Sequence, residues 1–151
     1  MARKPRIHYP GAVYHVILRG NAGQPIFFDD RDRYRLYLIV QFVVEKFGCR
    51  VHGFCFMTNH AHFVLQTGDI SLSRIMQNLS LRYTKWINYT QSRTGHVFQG
   101  RYKALLLDAD IYLMELVRYV FHRRRTVDPF LDFRLTHLKL QYCGFQASIH
   151  R

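Results

Sequence analysis

His60-Ala61-His62 is the densest piece of potential chemistry in this chain. On a strand, side chains two apart point to the same face. The two imidazoles would therefore stand side by side, with Ala61 turned the other way, and neutral imidazole nitrogens in that arrangement can bind one metal ion. The pattern is weak by itself, because the chain holds nine histidines and most such pairs are ordinary surface or hydrogen-bonded groups. Its setting adds weight. Thr58-Asn59 precedes the pair and Phe63-Val64-Leu65 follows it, which places it on a core strand rigid enough to hold a site. A second candidate is Tyr119, in Leu116-Val117-Arg118-Tyr119. A phenol with a pKa of about 10 is a nucleophile only toward a polarised electrophile or in surroundings that favour phenolate. Arg118, His122 and Arg123 provide positive surroundings, although packing is the default role for any one of ten tyrosines.

The elements that must position these residues follow from periodicity. Residues 1–10 are basic, contain two prolines and form an arm outside the core. Residues 11–19 alternate Val13, His15 and Ile17 with Tyr14, Val16 and Leu18, which predicts a strand. A Gly- and Pro-punctuated loop spans 20–25. Asp29, Asp30 and Asp32 suit the positive end of a helix dipole, and Tyr34, Tyr37, Leu38, Phe42, Val44 and Phe47 continue at helical spacing until Gly48 ends the helix. Strands are predicted at 50–56 and 60–66, joined by Met57-Thr58-Asn59. A second helix over 71–91 places Leu72, Ile75, Met76, Leu79, Tyr83 and Trp86 on one face and Arg74, Asn78, Arg82 and Lys85 on the other. A strand at 101–107 follows, and Asp108 caps a third helix that carries Tyr119.

This order, β-α-β-β-α-β plus a helix, predicts an α+β ferredoxin-like antiparallel sheet with two helices on one face and an additional C-terminal helix bearing the tyrosine. One domain over 1–122 and a tail over 123–151 of unassigned structure complete the expected organisation.

Composition narrows the partner. Lys and Arg number 22 against 10 Asp and Glu, a net charge of +12, and 48% of the residues are apolar. A chain this apolar can bury a core, which argues against disorder. No apolar run reaches the roughly 18 residues of a membrane span, and no signal-peptide h-region is visible. Three cysteines without CxxC spacing argue against a disulfide framework or a cysteine-based zinc site. The expected location is cytoplasmic, and the spread of positive charge suggests a polyanion such as nucleic acid.

Four blocks in order carry a more specific signal: Tyr14-His15-Val16-Ile17-Leu18-Arg19-Gly20-Asn21, Met57-Thr58-Asn59-His60-Ala61-His62-Phe63, Gly95-His96-Val97-Phe98-Gln99-Gly100-Arg101-Tyr102-Lys103 and Tyr112-Leu113-Met114-Glu115-Leu116-Val117-Arg118-Tyr119-Val120. Together they resemble the IS200-like single-tyrosine transposases, whose histidine–hydrophobic–histidine motif precedes a helix tyrosine, and especially the relatives associated with repetitive extragenic palindromes. The resemblance implies a DNA strand-transfer enzyme. His60 and His62 would hold Mg²⁺ or Mn²⁺, and Tyr119 would attack a phosphate to leave a 5′-phosphotyrosine and a 3′-hydroxyl. The implied substrate is single-stranded DNA beside a hairpin. Arg74, Arg82, Lys85, Arg101 and Lys103 would track its phosphates, and Arg3, Lys4 and Arg6 would form a basic arm. Singly, the default for each of these is a solvated surface charge, and only their collective charge points to nucleic acid.

One position departs from the family pattern. The family places an Asn or Gln ligand one helical turn after the nucleophile, where this chain has Arg123. A guanidinium has no acceptor and cannot ligate a cation. Asp128 or water would then complete the site, or metal binding would be impaired. The tail after Phe121 is either divergent or read in a shifted frame. Two non-catalytic readings stay open beside the enzyme: a hairpin-DNA-binding remnant, and an RNA-binding ferredoxin-like domain for which Phe54 and Phe56 are the available aromatics. Relatives can share a site across a homodimer, and the sequence does not decide between monomer and dimer.

Overall fold

In the computed structural model, residues 9–107 are described. Strand β1 (Val13–Arg19) leads through a short 3₁₀ turn at Asn21–Gly23 into helix α1 (Asp30–Phe47). Strands β2 (Arg50–Met57) and β3 (His60–Gln66), helix α2 (Leu72–Thr90) and strand β4 (Lys103–Leu107) follow. The acidic cluster begins α1 as its chemistry predicts. Asp29 caps the helix by accepting from the backbone N–H of Asp32 at 3.1 Å, with Asp30 and Asp32 in the first turn. Gly48 ends it in the left-handed region (φ 61°), its N–H returning to the Val44 carbonyl.

The strands form one sheet in the order β2-β3-β1-β4, every neighbouring pair antiparallel. This is the predicted ferredoxin-like arrangement, with β3 and β1 at the centre. The additional C-terminal helix expected after Asp108 lies outside the described residues.

Alternation along the central strands creates two different faces. Tyr14, Val16 and Leu18 of β1 and Ala61, Phe63 and Leu65 of β3 are buried with Leu36, Ile39, Val40 and Val43 of α1 and Ile75, Met76, Leu79 and Tyr83 of α2. The opposite face has no helix over it among the described residues, and Val13, Val64 and Leu107 form a small separate cluster there. The helix layer is also tied by polar contacts. Asp32, only 2% exposed, accepts from Phe28 N at 2.9 Å and from Trp86 Nε1 at 3.0 Å, while the Tyr83 hydroxyl donates to the Ile26 carbonyl at 2.7 Å. Burial, with Asp32 nearby, raises the pKa of the Tyr83 phenol far above its ordinary value.

Several boundaries differ from expectation. Met57 pairs with His60, so the β2–β3 connection is the two residues Thr58-Asn59 instead of three. The buried row of α2 continues from Tyr83 to Ile87, one helical step on, and leaves Trp86 half-buried. Strand β4 begins at Lys103 because Tyr102 is drawn into the core, where its hydroxyl meets Ser73 Oγ at 3.1 Å. Phe54 and Phe56 lie on the helix side, Phe56 against Phe27 and Phe54 against Tyr37. They offer no stacking platform on the face of the sheet away from the helices, which removes the feature that favoured RNA.

Candidate active site

His60 and His62 stand on the face of β3 away from α1 and α2, with their ring centroids 4.9 Å apart and the rings nearly perpendicular. Ala61 between them is fully buried in the opposite layer. In the sheet register His60 lies between Arg19 and Met57, and His62 lies between Ile17 and Cys55. Ile17 pairs in turn with Lys103 on its other side. Period-two alternation therefore brings Arg19, Ile17, Lys103 and both histidines to one face.

The hairpin that starts β3 is clasped by the loop after β1. Gly20 N donates to the Asn59 carbonyl at 2.8 Å, Ile26 N to the Thr58 carbonyl at 2.9 Å, and Asn59 Nδ2 to the Gly23 carbonyl at 3.3 Å. A side chain at Gly20 would collide with the Gln24 carbonyl oxygen, so the loop closes this tightly only with glycine there.

Each histidine has its Nδ1 occupied by a protein neighbour. His60 Nδ1 lies 2.6 Å from Asn59 Oδ1. An amide oxygen only accepts, so Nδ1 carries the proton and the lone pair of neutral His60 resides on Nε2. His62 Nδ1 lies 2.9 Å from Nε2 of His15, whose ring stacks on it at 5.2 Å. Partial burial lowers the pKa of His15, which favours the neutral imidazole.

This donor set fits part of a divalent metal site: two imidazoles on adjacent same-face positions, their other nitrogens held as metal-binding histidines commonly are. Among the described residues no group of three or more His, Cys, Asp or Glu side chains could hold an ion. The pair would therefore be two ligands of a set completed from elsewhere.

Beside the histidines runs a groove of about 930 Å³ whose lining includes Arg19, Gln99, Arg101 and Lys103 and, among the described residues, no acidic side chain. Two of the predicted DNA-binding residues, Arg101 and Lys103, thus sit with the histidine pair. Arg74, Arg82 and Lys85 do not: they are exposed on α2, in the layer on the other side of the sheet. Arg82 there donates from Nε to Asn78 Oδ1 at 2.9 Å, and its guanidinium lies 4.0 Å from the centroid of the Phe42 ring. Tyr119, Arg3, Lys4, Arg6, Arg123 and Asp128 lie outside the described residues.

Three residues of the site were not singled out from the sequence: His15, Arg19 and Asn59. The alternation of β1 already places His15 and Arg19 on one face, and Asn59 adjoins the motif. What was missing was the register that brings β1 beside β3.

The sheet thus carries two helices on one face and paired histidines with a basic groove on the other. The model of the family described as "Transposase IS200 like" matches residues 8–123, and the chain belongs to that family. Solved structures that share the fold include two transposase structures. One is the structure of a tyrosine transposase associated with repetitive extragenic palindromes (REP), bound to a REP hairpin: TM-score 0.66, 12% identity, 82% of this chain and 72% of that one covered. The other is a putative transposase from Deinococcus radiodurans R1, with a TM-score of 0.54, 14% identity, and coverage of 81% of this chain and 98% of that one. No curated protein matches the chain. Among the described residues no helix is long and apolar enough to cross a membrane.

Proposed function

We propose that this transposase is a metal-dependent endonuclease and strand transferase for single-stranded DNA at hairpin-flanked sites, working through a 5′-phosphotyrosine on Tyr119. The observation that carries the reading is the pair His60 and His62 on the sheet face away from α1 and α2, beside a groove lined by Arg19, Arg101 and Lys103 and, among the described residues, by no acidic side chain. A hairpin-bound structure of the same fold supports the choice of substrate.

Arg19, Arg101 and Lys103 neutralise the backbone charge of the strand and hold it along the groove. His60 and His62 supply two ligands for Mg²⁺ or Mn²⁺, which when bound polarises the scissile phosphate and offsets charge on its oxygens. The Tyr119 oxygen then bonds to phosphorus as the bond from phosphorus to the 3′ oxygen breaks. The phenolic proton is lost and the departing oxygen gains one to become a 3′-hydroxyl. The tyrosyl ester preserves the energy of the phosphodiester, so a 3′-hydroxyl can reverse the step and join strands without ATP.

The test is an end-labelled hairpin oligonucleotide incubated with Mn²⁺. A covalent protein–DNA band is expected from the native chain and not from Tyr119→Phe or His60→Ala; a band that persists in Tyr119→Phe would sink the nucleophile assignment. Arg123 favours a second reading, a hairpin-binding protein without cleavage, because it occupies the place of the family's amide ligand. That reading expects salt-sensitive hairpin binding and no covalent band with any divalent metal.

A further inference from the structure

His15 belongs to no part of the mechanism above, yet it makes its side-chain hydrogen bond to one of the two histidines that do. Its place in the sheet calls for an apolar residue. It lies between Val13 and Ile17 on its own strand, opposite Val64 on β3 and Leu105 on β4. A β-branched side chain would pack well there, and Val13 and Val64 already join Leu107 in the small cluster of this face. Instead an imidazole, half removed from water, reaches diagonally across the ladder to His62, 47 residues away in sequence.

The direction of that hydrogen bond decides what His62 can do. A neutral imidazole has one N–H and one lone pair. If His15 Nε2 donated to His62 Nδ1, the proton of His62 would sit on Nε2, and that nitrogen could not ligate. If His62 Nδ1 donates to His15 Nε2, the lone pair of His62 is on Nε2, as it is in His60. Asn59 enforces this tautomer on His60 through an amide oxygen that can only accept. On β1 the equivalent task falls to a histidine in its Nδ1–H form.

We infer that His15 is a positioning residue that accepts from His62 Nδ1 and, together with Asn59, sets both histidines to ligate through Nε2. The inference rests on the reading of His60 and His62 as ligands. Stacking of the two rings at an interplanar angle of 18° adds a second restraint on the orientation of His62. Partners of this kind commonly change metal affinity by about 10–100-fold when removed, because they hold ring direction and raise ligand basicity.

The experiment uses the full chain labelled with ¹⁵N-histidine and free of metal, at a pH where the imidazoles are neutral. Long-range ¹H–¹⁵N spectra report which nitrogen of each ring carries the proton. In the native protein His62 is expected as the Nδ1–H tautomer and His15 likewise. His15→Phe keeps a flat ring beside His62 but removes the acceptor, so His62 should become a mixture of tautomers. His15→Gln restores an accepting oxygen and should return His62 to Nδ1–H. Calorimetric titration with Mn²⁺ should show His15→Phe weakened by about 10–100-fold and His15→Gln close to native.

A proton on Nε2 of His62 in the native protein would overturn the inference. So would equal loss of affinity in both variants, which would mark His15 as a packing residue. Backbone spectra check folding; if His15→Phe does not fold, the native tautomers and His15→Gln decide the matter. Native protein with the expected tautomers but no uptake of Mn²⁺ would sink the metal reading while the tautomer assignment stands.

Discussion

The two faces of the sheet are built from the same strands by opposite rules. On β3, Ala61, Phe63 and Leu65 enter a core shared with both helices, whereas His60 and His62 face a basic groove. The helix-covered face joins its polar groups through buried contacts such as Asp32 with Trp86. The face away from the helices lines its polar groups along a groove and orients them from the side. Under the proposed function, stability and chemistry are separated by one residue of register, and substitutions at adjacent positions should have nearly independent effects.

The sharpest way to break this contrast is to compare His60→Ala and His62→Ala with Phe63→Ala. The histidine variants should lower Mn²⁺-dependent cleavage by on the order of 10²-fold or more, with a chemical-denaturation midpoint near native. Phe63, 1% exposed and edge-on to Phe56 at 5.9 Å, should cost about 3–5 kcal/mol of stability when truncated. Folded Phe63→Ala should still form the covalent adduct. Strong destabilisation in His62→Ala would mean that the histidine face is also structural.

A smaller effect tests the helix side alone. Asp32→Leu removes the acceptor for both Phe28 N and Trp86 Nε1, leaving two donors without it. Urea unfolding should show a loss of about 1–3 kcal/mol, with Mn²⁺ affinity unchanged.

How much of this was legible in the sequence follows from the range of each signal. The alternation through His60-Ala61-His62 and the helical spacing from Leu72 to Tyr83 are local, so they predicted the same-face pair, the covered face and the element order. The capping of α1 at Asp29 and its end at Gly48 were local too. The partnership of His15 with His62 spans 47 residues and depends on the offset between β1 and β3. A shift of one residue in that register would turn every side chain of β1 to the opposite face. The basic residues show the same limit. Arg82 and Lys103 look equivalent in sequence, and the layer order places them on opposite sides of the sheet.

That separation makes a graded prediction about salt. Replacing Arg101 or Lys103 by Ala should reduce the slope of log affinity against log salt by about 0.7 per lost contact with single-stranded DNA, and should slow cleavage even at saturating DNA. Replacing Arg74 or Lys85 should change the slope for hairpin binding at most by a similar amount, and leave the rate at saturation unchanged. Equal effects on rate from both sets would show that the substrate wraps the sheet edge and engages both layers during the chemical step.

The smallest effect concerns Cys49, which lies at the end of the helix-side core and is 3% exposed. Burial pushes its thiol from 9.0 up to about 11. The folded state therefore prefers the neutral thiol, and the sign of the linkage follows: its contribution to stability is fully present below pH 9 and is lost as the pH rises toward 11. Cys49→Ala should flatten that alkaline decline while lowering stability somewhat at neutral pH. With thiolate scarce in the folded state, mass-spectrometric mapping after iodoacetamide at pH 8 should find Cys49 unmodified until denaturant is added. Rapid labelling in the native protein would show that the covered face opens, and the division between a packed layer and a reactive layer would then be a matter of timescale as well as of register.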